Sequence, residues 1–599
     1  MGDKQRNTIV RFAVIFLLIT AGFIAVLVKI VLIQTKEKDV WLSLANAQIR
    51  NNQVVPATRG NILDCEGKLL CSSMPQYTLY MDAAVPALSK DNDSLFNRYI
   101  DTLSTDISRV LGDNDALYYK NKITTAHRRG RHNLRISRTR INYLQRKDLE
   151  RNPLIQKGKN YSGIQFQEVK RRMRLLGPLA TRTLGSIDAE SGYGKTGLEK
   201  QYDSYLVGKD GVSVRQRIAG QYENVTVVEA IDGYDIVTTL DAELQDIVSE
   251  TLMNRLKRID GEWGCCVLME TQSGHIKAIA NLDKQPDGSY IESVNHAVTM
   301  VEPGSTFKTI ALMAAMEDHK VDLYDTVSVT KAPWKYFTVT HRDAHPKDTV
   351  YTVRSALAVS SNIALAKIIT RAYEGSANRF VNRVLKLGIA DSVVSDIPGA
   401  QTALIRVPND TVTISKMSYG YSVLVTPMQL LMFYNAIANE GKMVRPMLVT
   451  DIKDGEEIIK HFDTEVVKRS IARSSTLADI RLALHDVVWD NNLGTASVRL
   501  WNGKVADYKA QSSLVHIAGK TGTAQILENG RYSDRKHRIT FVGYFPEENP
   551  QYTCICMINA PTVYGYDAGY DCGGVVRIIA EKTIANVDCY KNGTLVKRK

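Results

Sequence analysis

The sequence has few cysteines, and it lacks their metal-binding and redox spacings. Eight cysteines are spread over 599 residues, and none forms a C-x-x-C pair, which excludes zinc-ribbon and thioredoxin-like proteins. Cys65 and Cys71 flank a short turn and could form a disulfide outside the cytoplasm. The other close pairs lie in apolar runs, where we expect small buried core residues: Cys265 with Cys266, and Cys554 with Cys556.

The chain also lacks a phosphate-binding P-loop, internal repeats and low-complexity segments. Two Gly-Lys-Thr triplets are present, Gly194–Thr196 and Gly519–Thr521. A P-loop needs a further glycine five residues before such a triplet, so that backbone N–H groups can wrap a phosphate. Those positions hold Ala189 and Leu514, so neither triplet predicts nucleotide binding.

A metal site is not expected either. His341 and His345 are four residues apart, as zinc ligands on a helix can be. Pro346 follows them and favours a loop. We predict neither a metal nor a cofactor.

No extreme of composition indicates a disordered chain. Apolar residues make up 44% and charged residues 23%, a mixture that can bury a core, and the length suits two or three domains. The formal charge of +12 suits an anionic neighbour: nucleic acid, phospholipid head groups or a lipid-linked pyrophosphate. Charge alone does not choose among them.

A long apolar run lies near the amino terminus, from Phe12 to Ile33 and interrupted by Lys29. As a helix it can cross a hydrocarbon core of about 30 Å. Basic residues precede it, so we expect the amino terminus to stay in the cytoplasm and the rest to be exported. A cleaved signal peptide would need a site directly after the run, but the nearest, Ala45–Ala47, lies well beyond it.

The next two hundred residues have mixed patterns. Residues 34–53 are mostly polar and predict a helical stalk, and Tyr77–Asp82 alternates as a strand does. Residues 90–180 are charged and favour helices. Six arginines there form a basic cluster, which suits a solvated face or contact with anionic lipid or lipid-linked substrate: Arg128, Arg129, Arg131, Arg135, Arg138 and Arg140. Because the anchor places this cluster outside the cytoplasm, we do not expect nucleic acid as a partner.

From about Asp235 the pattern changes. Ile236–Leu240 predicts a strand, and Asp241 can cap the helix that follows. A β-hairpin is predicted from Cys265–Met269 to His275–Ala280. Further apolar strands are expected near Ile539–Phe545 and Tyr552–Ile558, after a helical middle, which favours one antiparallel sheet covered by helices.

Three short motifs in this region carry candidate chemistry. The first, Ser305–Lys308, follows a Pro-Gly pair at the start of a predicted helix. Residues three apart share a helix face, so Lys308 can reach the hydroxyl of Ser305. A lysine can activate a serine when burial or a nearby cation lowers its pKa.

The other two motifs are weak when taken alone. Ser360–Asn362 precedes a helical run, where it would serve as an ordinary helix cap, although Ser360 could relay a proton and Asn362 could hold a peptide. Lys520–Thr523 is expected where the apolar strand Leu514–Ala518 reaches a glycine. Gly522 would let the backbone approach a ligand closely.

In this order, S-x-x-K, S-x-N and K-T-G resemble the signature of penicillin-binding proteins and serine β-lactamases. Arg59–Asp64 and Gly197–Glu199 also resemble landmarks of the class B, monofunctional penicillin-binding proteins, so the resemblance covers the whole chain. Cys65 departs from the family, which more often has arginine there. Residues 90–180 look closer to the septal, cell-division branch than to the elongation branch.

The resemblance implies an α+β protein in parts. These are a cytoplasmic tail (1–11), a single transmembrane helix (12–33), an elongated mixed α/β pedestal of the dimerisation type (34–235), and a transpeptidase domain with a β-lactamase-like fold (236–599). The protein would sit in the cytoplasmic membrane with its catalytic domain on the outer side.

The resemblance also implies roles for the motif residues. Ser305 would attack the penultimate D-Ala carbonyl of a D-Ala-D-Ala stem peptide, with Lys308 as general base. Ser360 would shuttle a proton, Lys520 would shape the electric field, and Asn362 would orient the acyl chain. The substrate carboxylate and backbone would bind at the K-T-G strand, through Thr521, Gly522 and Thr523.

The implied partners are peptidoglycan stem peptides, the lipid-linked precursor, β-lactam antibiotics, and a polytopic glycan polymerase with other divisome membrane proteins. The alternatives are an elongation-type transpeptidase, or a scaffold that recruits the polymerase and for which catalysis is secondary. A secreted β-lactamase would be shorter and would lack the pedestal.

Overall fold

The computed structural model describes residues 3–38, 40, 52–218, 221–344, 346–391, 396–501, 504–563, 565–586, 590–591 and 594–595. Most of the predicted stalk lies outside these residues. The chain divides into two compact units. The first comprises Met1–Thr58 and Gly208–Gly233, and the second comprises Arg59–Val207 and Tyr234–Lys599.

The helices are numbered in chain order. They are α1 Asp3–Thr35, α2 Ser94–Leu111, α3 Ala116–Arg128, α4 Tyr143–Leu149, α5 Lys159–Ser162, α6 Thr181–Leu184, α7 Gly197–Gln201, α8 Asp203–Leu206, α9 Ala242–Ile259, α10 Phe307–Glu317, α11 Val353–Ala358, α12 Asn362–Ala372, α13 Ala377–Lys386, α14 Thr411–Met417, α15 Pro427–Ala438, α16 Ser474–Trp489 and α17 Gly574–Asn586. Short 3-10 turns occur at Ile155–Lys157, His296–Val298 and Gly304–Thr306, and a π-helical turn at Gly569–Gly573.

The strands are numbered in the same way. They are β1 Asn52–Val55, β2 Ile62–Leu63, β3 Leu69–Met81, β4 Leu134–Arg135, β5 Ile164–Arg174, β6 Ser186–Ile187, β7 Gly194–Thr196, β8 Gly211–Ile218, β9 Gln221–Val228, β10 Asp235–Thr238, β11 Trp263–Glu270, β12 Ile276–Lys284, β13 Tyr290–Ile291, β14 Thr326–Ser328, β15 Trp334–Tyr336, β16 Val339–His341, β17 Val350–Thr352, β18 Met443–Val444, β19 Val449–Asp454, β20 Glu457–His461, β21 Val466–Lys468, β22 Val498–Trp501, β23 Lys504–Tyr508, β24 Ala518–Glu528, β25 Arg531–Phe545, β26 Tyr552–Asn559, β27 Tyr590–Lys591 and β28 Thr594–Leu595.

The first unit contains the apolar amino-terminal helix and a small sheet. Within α1, Ala13–Thr35 is long and apolar enough to cross a membrane, and none of its most apolar window is buried. The helix begins at Asp3, before the predicted run, and includes the polar residues that precede the run. Strands β1, β8 and β9 form an antiparallel sheet in that order.

In the second unit, helices α2 and α3 pack in one core with strand β3. Leu103 of α2 and Tyr119 of α3 are fully buried beside Leu79. Helix α2 ends at Gly112, whose φ of +65° suits a glycine cap, with its N–H bonded to the Ser108 carbonyl. The expectation of helices in this region is confirmed for these two elements.

The same expectation is wrong for Ile164–Arg174, which forms β5. This strand pairs antiparallel with β3 over its whole length, from Ile164 opposite Met81 to Arg174 opposite Cys71. Six of its eleven side chains are exposed and five are charged, so the alternation of apolar residues that identifies a half-buried strand is weak in its sequence.

The predicted hairpin and the late strands build one antiparallel sheet, in the order β13-β12-β11-β26-β25-β24 among the described strands. Alternate residues face opposite cores: Cys265 and Val267 face one, and Cys266 and Leu268 face the other. Helices α9 and α17 cover the second face, and α10, α12 and α15 lie in the core on the first. The sheet covered by helices is therefore confirmed, and so is the Asp241 cap of α9, which accepts from two backbone N–H groups.

Two sequence expectations concern the segment before the K-T-G motif and the pair of Cys65 and Cys71. Leu514–Val515 and the two residues that follow are not a strand; β24 begins only at Ala518, and Leu514 is exposed. The K-T-G motif therefore lies inside the edge strand and not at its end. No disulfide joins Cys65 to Cys71, and the four cysteines expected in the core are buried.

Candidate active site

Ser305 lies on the Gly304–Thr306 turn that leads into α10. Gly304 has a φ of +56°, and a Cβ there would come within 2.9 Å of the Ala524 side chain. Glycine is therefore needed for the turn to pack on β24. The hydroxyl of Thr306 donates to the Pro303 carbonyl at 2.8 Å, which fixes the other side of the turn. Ser305 is half-buried, and no hydrogen bond among the described residues engages its hydroxyl.

Two fully buried lysines meet at Ser360. The Lys308 ammonium donates to the Ser360 carbonyl at 2.5 Å and to its hydroxyl oxygen at 3.0 Å. The Lys520 ammonium donates to the same hydroxyl oxygen at 2.9 Å and to the Thr521 carbonyl at 3.1 Å. The spacing predicts that Lys308 can reach the Ser305 hydroxyl, but the hydrogen bonds of its ammonium go to Ser360.

Burial makes these lysines unusually easy to deprotonate. It lowers the pKa of Lys308 to about 7, although the Asp343 carboxylate acts in the opposite direction. The pKa of Lys520 is lowered well below its usual range by burial and then by the neighbouring Lys308 ammonium. Two ammonium groups that share one acceptor oxygen repel each other, so the pair readily loses a proton and can act as a base at neutral pH.

In the second motif, one serine caps a helix and the other contacts the two lysines. Ser360 has a φ of +58° and turns its hydroxyl to the two lysines. Ser361 is the cap of α12 and accepts from the Ala364 N–H at 3.0 Å. Asn362 donates its side-chain amide to the Arg342 carbonyl at 2.8 Å. The capping alternative is thus realised by Ser361, next to the functional contact of Ser360.

Asp343 ties this motif to the preceding loop. Its carboxylate accepts from the Ser361 hydroxyl at 2.7 Å and from the backbone N–H groups of Asn362 and Ile363 at 2.5 and 3.0 Å. A carboxylate at a helix amino terminus is favourable, since it meets unpaired N–H groups and the positive end of the dipole. Sequence reasoning missed this residue, although it stands between the two histidines considered as metal ligands.

The third motif lies on edge strand β24. A Cβ on Gly522 would come within 3.0 Å of the Thr306 methyl group and 3.3 Å of the Pro303 carbonyl. In the structure, the close approach that favours glycine here is to the Ser305 turn. The expected close approach of a ligand stays a prediction. The Thr521 hydroxyl lies 2.6 Å from the hydroxyl of Thr495, a residue that no sequence pattern indicated.

These segments converge on one cleft of about 970 Å³. Five of the eight predicted site residues line it: Ser305, Ser360, Asn362, Thr521 and Thr523. The two lysines contact the cleft through Ser360, and Gly522 lies behind it against the turn. Further lining residues that the sequence did not indicate include Asp343, Tyr419, Tyr421, Thr495, His537 and Tyr566.

His341 has a structural contact in this neighbourhood. It ends strand β16, and residues 342–344 after it form a loop and not a helix, as expected. Its Nδ1 lies 2.8 Å from the Tyr419 hydroxyl. Burial lowers its pKa to about 4, so the ring is neutral. His345 lies outside the described residues, which contain no group of three or more His, Cys, Asp or Glu side chains suited to a metal ion.

Two family models match the chain. The Penicillin binding protein transpeptidase domain matches residues 264–581, and the Penicillin-binding Protein dimerisation domain matches residues 54–238. A probable peptidoglycan D,D-transpeptidase PenA of Neisseria meningitidis is 26% identical over 589 residues, which cover 94% of this chain and 90% of that protein. Peptidoglycan D,D-transpeptidase FtsI of Buchnera aphidicola is 24% identical over 417 residues, 68% of each chain.

A solved structure has the same fold. Penicillin Binding Protein 2X of Streptococcus thermophilus superposes with a TM-score of 0.71 at 21% identity, over 89% of this chain and 80% of that chain.

Proposed function

The chain belongs to the class B penicillin-binding proteins, the serine D,D-transpeptidases of peptidoglycan, and we propose that Ser305, Lys308, Ser360, Asn362 and Lys520 perform its reaction. The observation that carries the proposal is the meeting of two buried lysines on Ser360 in the cleft that Ser305 lines. Peptide cross-links are formed on D-Ala-D-Ala stems, through an ester between the stem and Ser305.

Acylation begins at Ser305. Its oxygen attacks the carbonyl of the penultimate D-Ala, and its proton passes to the neutral amine of Lys308. A base with a pKa of about 7 suits this step, because it is largely unprotonated at the working pH and still holds a proton well once it has taken one. The substrate must draw Lys308 toward Ser305, since in the free enzyme its hydrogen bonds go to Ser360.

Ser360 returns the proton to the leaving group. A hydroxyl oxygen has two acceptor sites, and Lys308 and Lys520 occupy both. The Ser360 hydrogen is therefore directed away from the lysines, into the cleft that its side chain lines. There it protonates the departing nitrogen as the peptide bond breaks and terminal D-alanine leaves, and Lys308 replaces the proton.

Strand β24 holds the substrate and the developing charge. The hydroxyls of Thr521 and Thr523 bind the terminal carboxylate, with Gly522 keeping the strand close to the Ser305 turn. The backbone N–H groups of Ser305 and Thr523 form the oxyanion hole, where one donor stabilises a transition state by about 3–4 kcal/mol. Asn362, which also lines the cleft, orients the acyl chain.

The second half of the reaction uses the same groups in reverse. An amine of a neighbouring stem peptide attacks the Ser305 ester, forms the new peptide bond and gives up a proton, and Ser305 recovers its own. A β-lactam ring presents a similar amide and acylates Ser305, but its leaving group stays attached and the ester persists.

The remaining parts of the chain position this site in the envelope. We propose that residues 1–11 stay in the cytoplasm, that residues 12–33 span the cytoplasmic membrane, and that the pedestal (34–235) carries the transpeptidase domain (236–599) on the outer side. The resemblance of residues 90–180 supports a septal role, with a polytopic glycan polymerase and other divisome membrane proteins as partners.

Labelling with a fluorescent penicillin tests the assignment of Ser305. The full-length protein should form a covalent adduct that survives denaturation, and Ser305→Ala should form none. Ser289→Ala is the matched control, because Ser289 lies in an exposed hairpin turn outside the cleft. Equal labelling of Ser305→Ala would remove the nucleophile, and rapid loss of the adduct from the wild type would indicate a β-lactamase.

The septal role needs a separate experiment. A fluorescent fusion of the whole chain should concentrate at the division site in dividing cells. A uniform or lateral-wall distribution would favour the elongation role and would leave the chemistry unaffected.

A further inference from the structure

A second cavity, of about 420 Å³, lies far from the catalytic motifs in sequence, between helix α3 and strand β4. Its polar lining is rich in hydrogen-bond donors and contains no acidic residue: Tyr118, Asn121, Lys122, Thr125, Arg129 and Arg131. None of these residues belongs to the catalytic cleft.

Its three cations are not neutralised within the described part of the chain. No carboxylate lies within ion-pair distance of Lys122, Arg129 or Arg131 there, whereas nearby Arg109 and Arg146 bind Asp148 and Glu150. Arg129 and Arg131 are exposed and Lys122 is half-buried, so water screens part of their mutual repulsion. Three cations around one cavity without a counter-charge still create a positive potential that favours an anion there.

The backbone fixes where these cations stand. Arg131 donates its N–H to the Ala126 carbonyl at 3.1 Å, and its own carbonyl accepts from Ala83 at 2.9 Å. Gly130, with a φ of +60°, makes the turn that sets Arg129 and Arg131 beside the cavity. The Lys122 ammonium donates one hydrogen bond to the Ile136 carbonyl at 2.8 Å and keeps two donors for a ligand.

We propose that this cavity binds a diphosphate-class anion. Two guanidinium forks and an ammonium match phosphate oxygens in geometry and charge, and a ligand with at least two negative charges balances them better than one carboxylate. The cavity is larger than a single phosphate needs and falls within the size range of small-ligand sites. The carbonyl end of α3 borders the cavity and repels anions, so the side chains must supply the attraction.

Isothermal titration of the full-length protein in zwitterionic detergent, with inorganic pyrophosphate at about 0.15 M ionic strength, tests the site. The double variant Arg129→Gln/Arg131→Gln should weaken pyrophosphate binding by about tenfold or more, because it removes both forks. The matched control is Arg138→Gln/Arg140→Gln, which removes two exposed charges of the same basic cluster that do not line the cavity, and should change the Kd by less than about twofold.

Several outcomes would overturn the proposal. These are no pyrophosphate binding to the wild type, an equal loss in both double variants, or succinate binding as tightly as pyrophosphate. Competition by vesicles of phosphatidylglycerol, but not of phosphatidylcholine, would also overturn the diphosphate class, because phosphatidylglycerol carries a single phosphate. Pyrophosphate binding that neither lipid competes away supports it.

This test is independent of the proposed reaction. Both double variants should label with fluorescent penicillin at the wild-type rate, since neither pair touches the cleft. Normal labelling establishes that the transpeptidase domain folds in both variants. A melting temperature equal to that of the wild type would exclude misfolding around the cavity as the cause of lost pyrophosphate binding.

Discussion

The ammonium of Lys308 binds Ser360 twice, at the carbonyl and at the hydroxyl oxygen, across 52 residues of sequence. The lysine of the first motif is thereby coupled to the serine of the second before any substrate arrives. Lys520 donates to the same hydroxyl, so Lys308, Ser360 and Lys520 form one group that can share protons. Within it, Lys308 has a pKa of about 7.

Removing Lys308 should change how stability depends on pH. Its pKa is lower in the folded protein than in the unfolded chain, so the unfolded state binds more protons between about pH 7 and 10. Wild-type stability therefore gains from Lys308 as pH rises through this window, by as much as roughly 3 kcal/mol between pH 7 and 9.5. Lys308→Met lacks this gain, so its melting temperature relative to wild type should fall by several degrees over the same interval.

Calorimetry of both proteins at the two pH values measures this difference. Lys277→Met is the control, because it replaces another buried lysine outside the cleft. A melting-temperature difference between Lys308→Met and wild type that stays constant with pH would contradict a lowered pKa for Lys308.

Replacing Asp343 should move the pH dependence of acylation to lower pH. The carboxylate raises the pKa of Lys308 against the effect of burial, so Asp343→Asn lowers that pKa further. The base is active when unprotonated, and the rising limb of the acylation rate, near pH 7 in the wild type, should shift down by up to about one pH unit.

The measurement is the second-order rate constant for fluorescent penicillin from pH 5.5 to 9. The rate at the plateau should also fall, because Asn keeps only part of the hydrogen bonding to Ser361 and the start of α12. A lower plateau without a shifted limb would assign Asp343 a structural role alone.

Thr495 should act through the hydroxyl of Thr521. The two oxygens are 2.6 Å apart, so Thr495 fixes the direction in which Thr521 faces the substrate carboxylate. Thr495→Val keeps the shape and loses the hydroxyl, and acylation should slow by about tenfold, equivalent to one hydrogen bond. The rescue variant Thr495→Ser restores the hydroxyl and should recover most of the rate; if Ser fails to rescue, the methyl group and not the hydroxyl matters.

The elements that could be predicted from the sequence are those that depend on local residue patterns. The hairpin of β11 and β12 and the cap of α9 follow from alternation and capping, which depend on neighbouring residues. Strand β5 was missed because an exposed, charged edge strand has no apolar face to display. The motifs indicate Lys520 and Ser360, but the contact between them spans 160 residues and depends on tertiary packing. The contact of Thr495 with Thr521 likewise depends on tertiary packing that no local pattern shows.

Glu199 should be among the most costly single residues to neutralise in the pedestal. It is 1% exposed and accepts from Arg59 at 2.7 Å and from Arg172 at 2.6 Å, which joins the two landmark motifs noted in the sequence. Neutralising Glu199 leaves the buried Arg172 guanidinium without its carboxylate and leaves Arg59 with Asp203 alone. Breaking a buried ion group in this way costs about 3–5 kcal/mol. Glu199→Gln should therefore lower the melting temperature by several degrees or more, whereas Glu190→Gln, on the exposed loop nearby, should leave it nearly unchanged.

Below its melting temperature the Glu199 variant should still acylate Ser305 at the wild-type rate, since Glu199 does not line the cleft. A stable Glu199→Gln protein would mean that water reaches the two guanidinium groups and that the ion group contributes little to the pedestal.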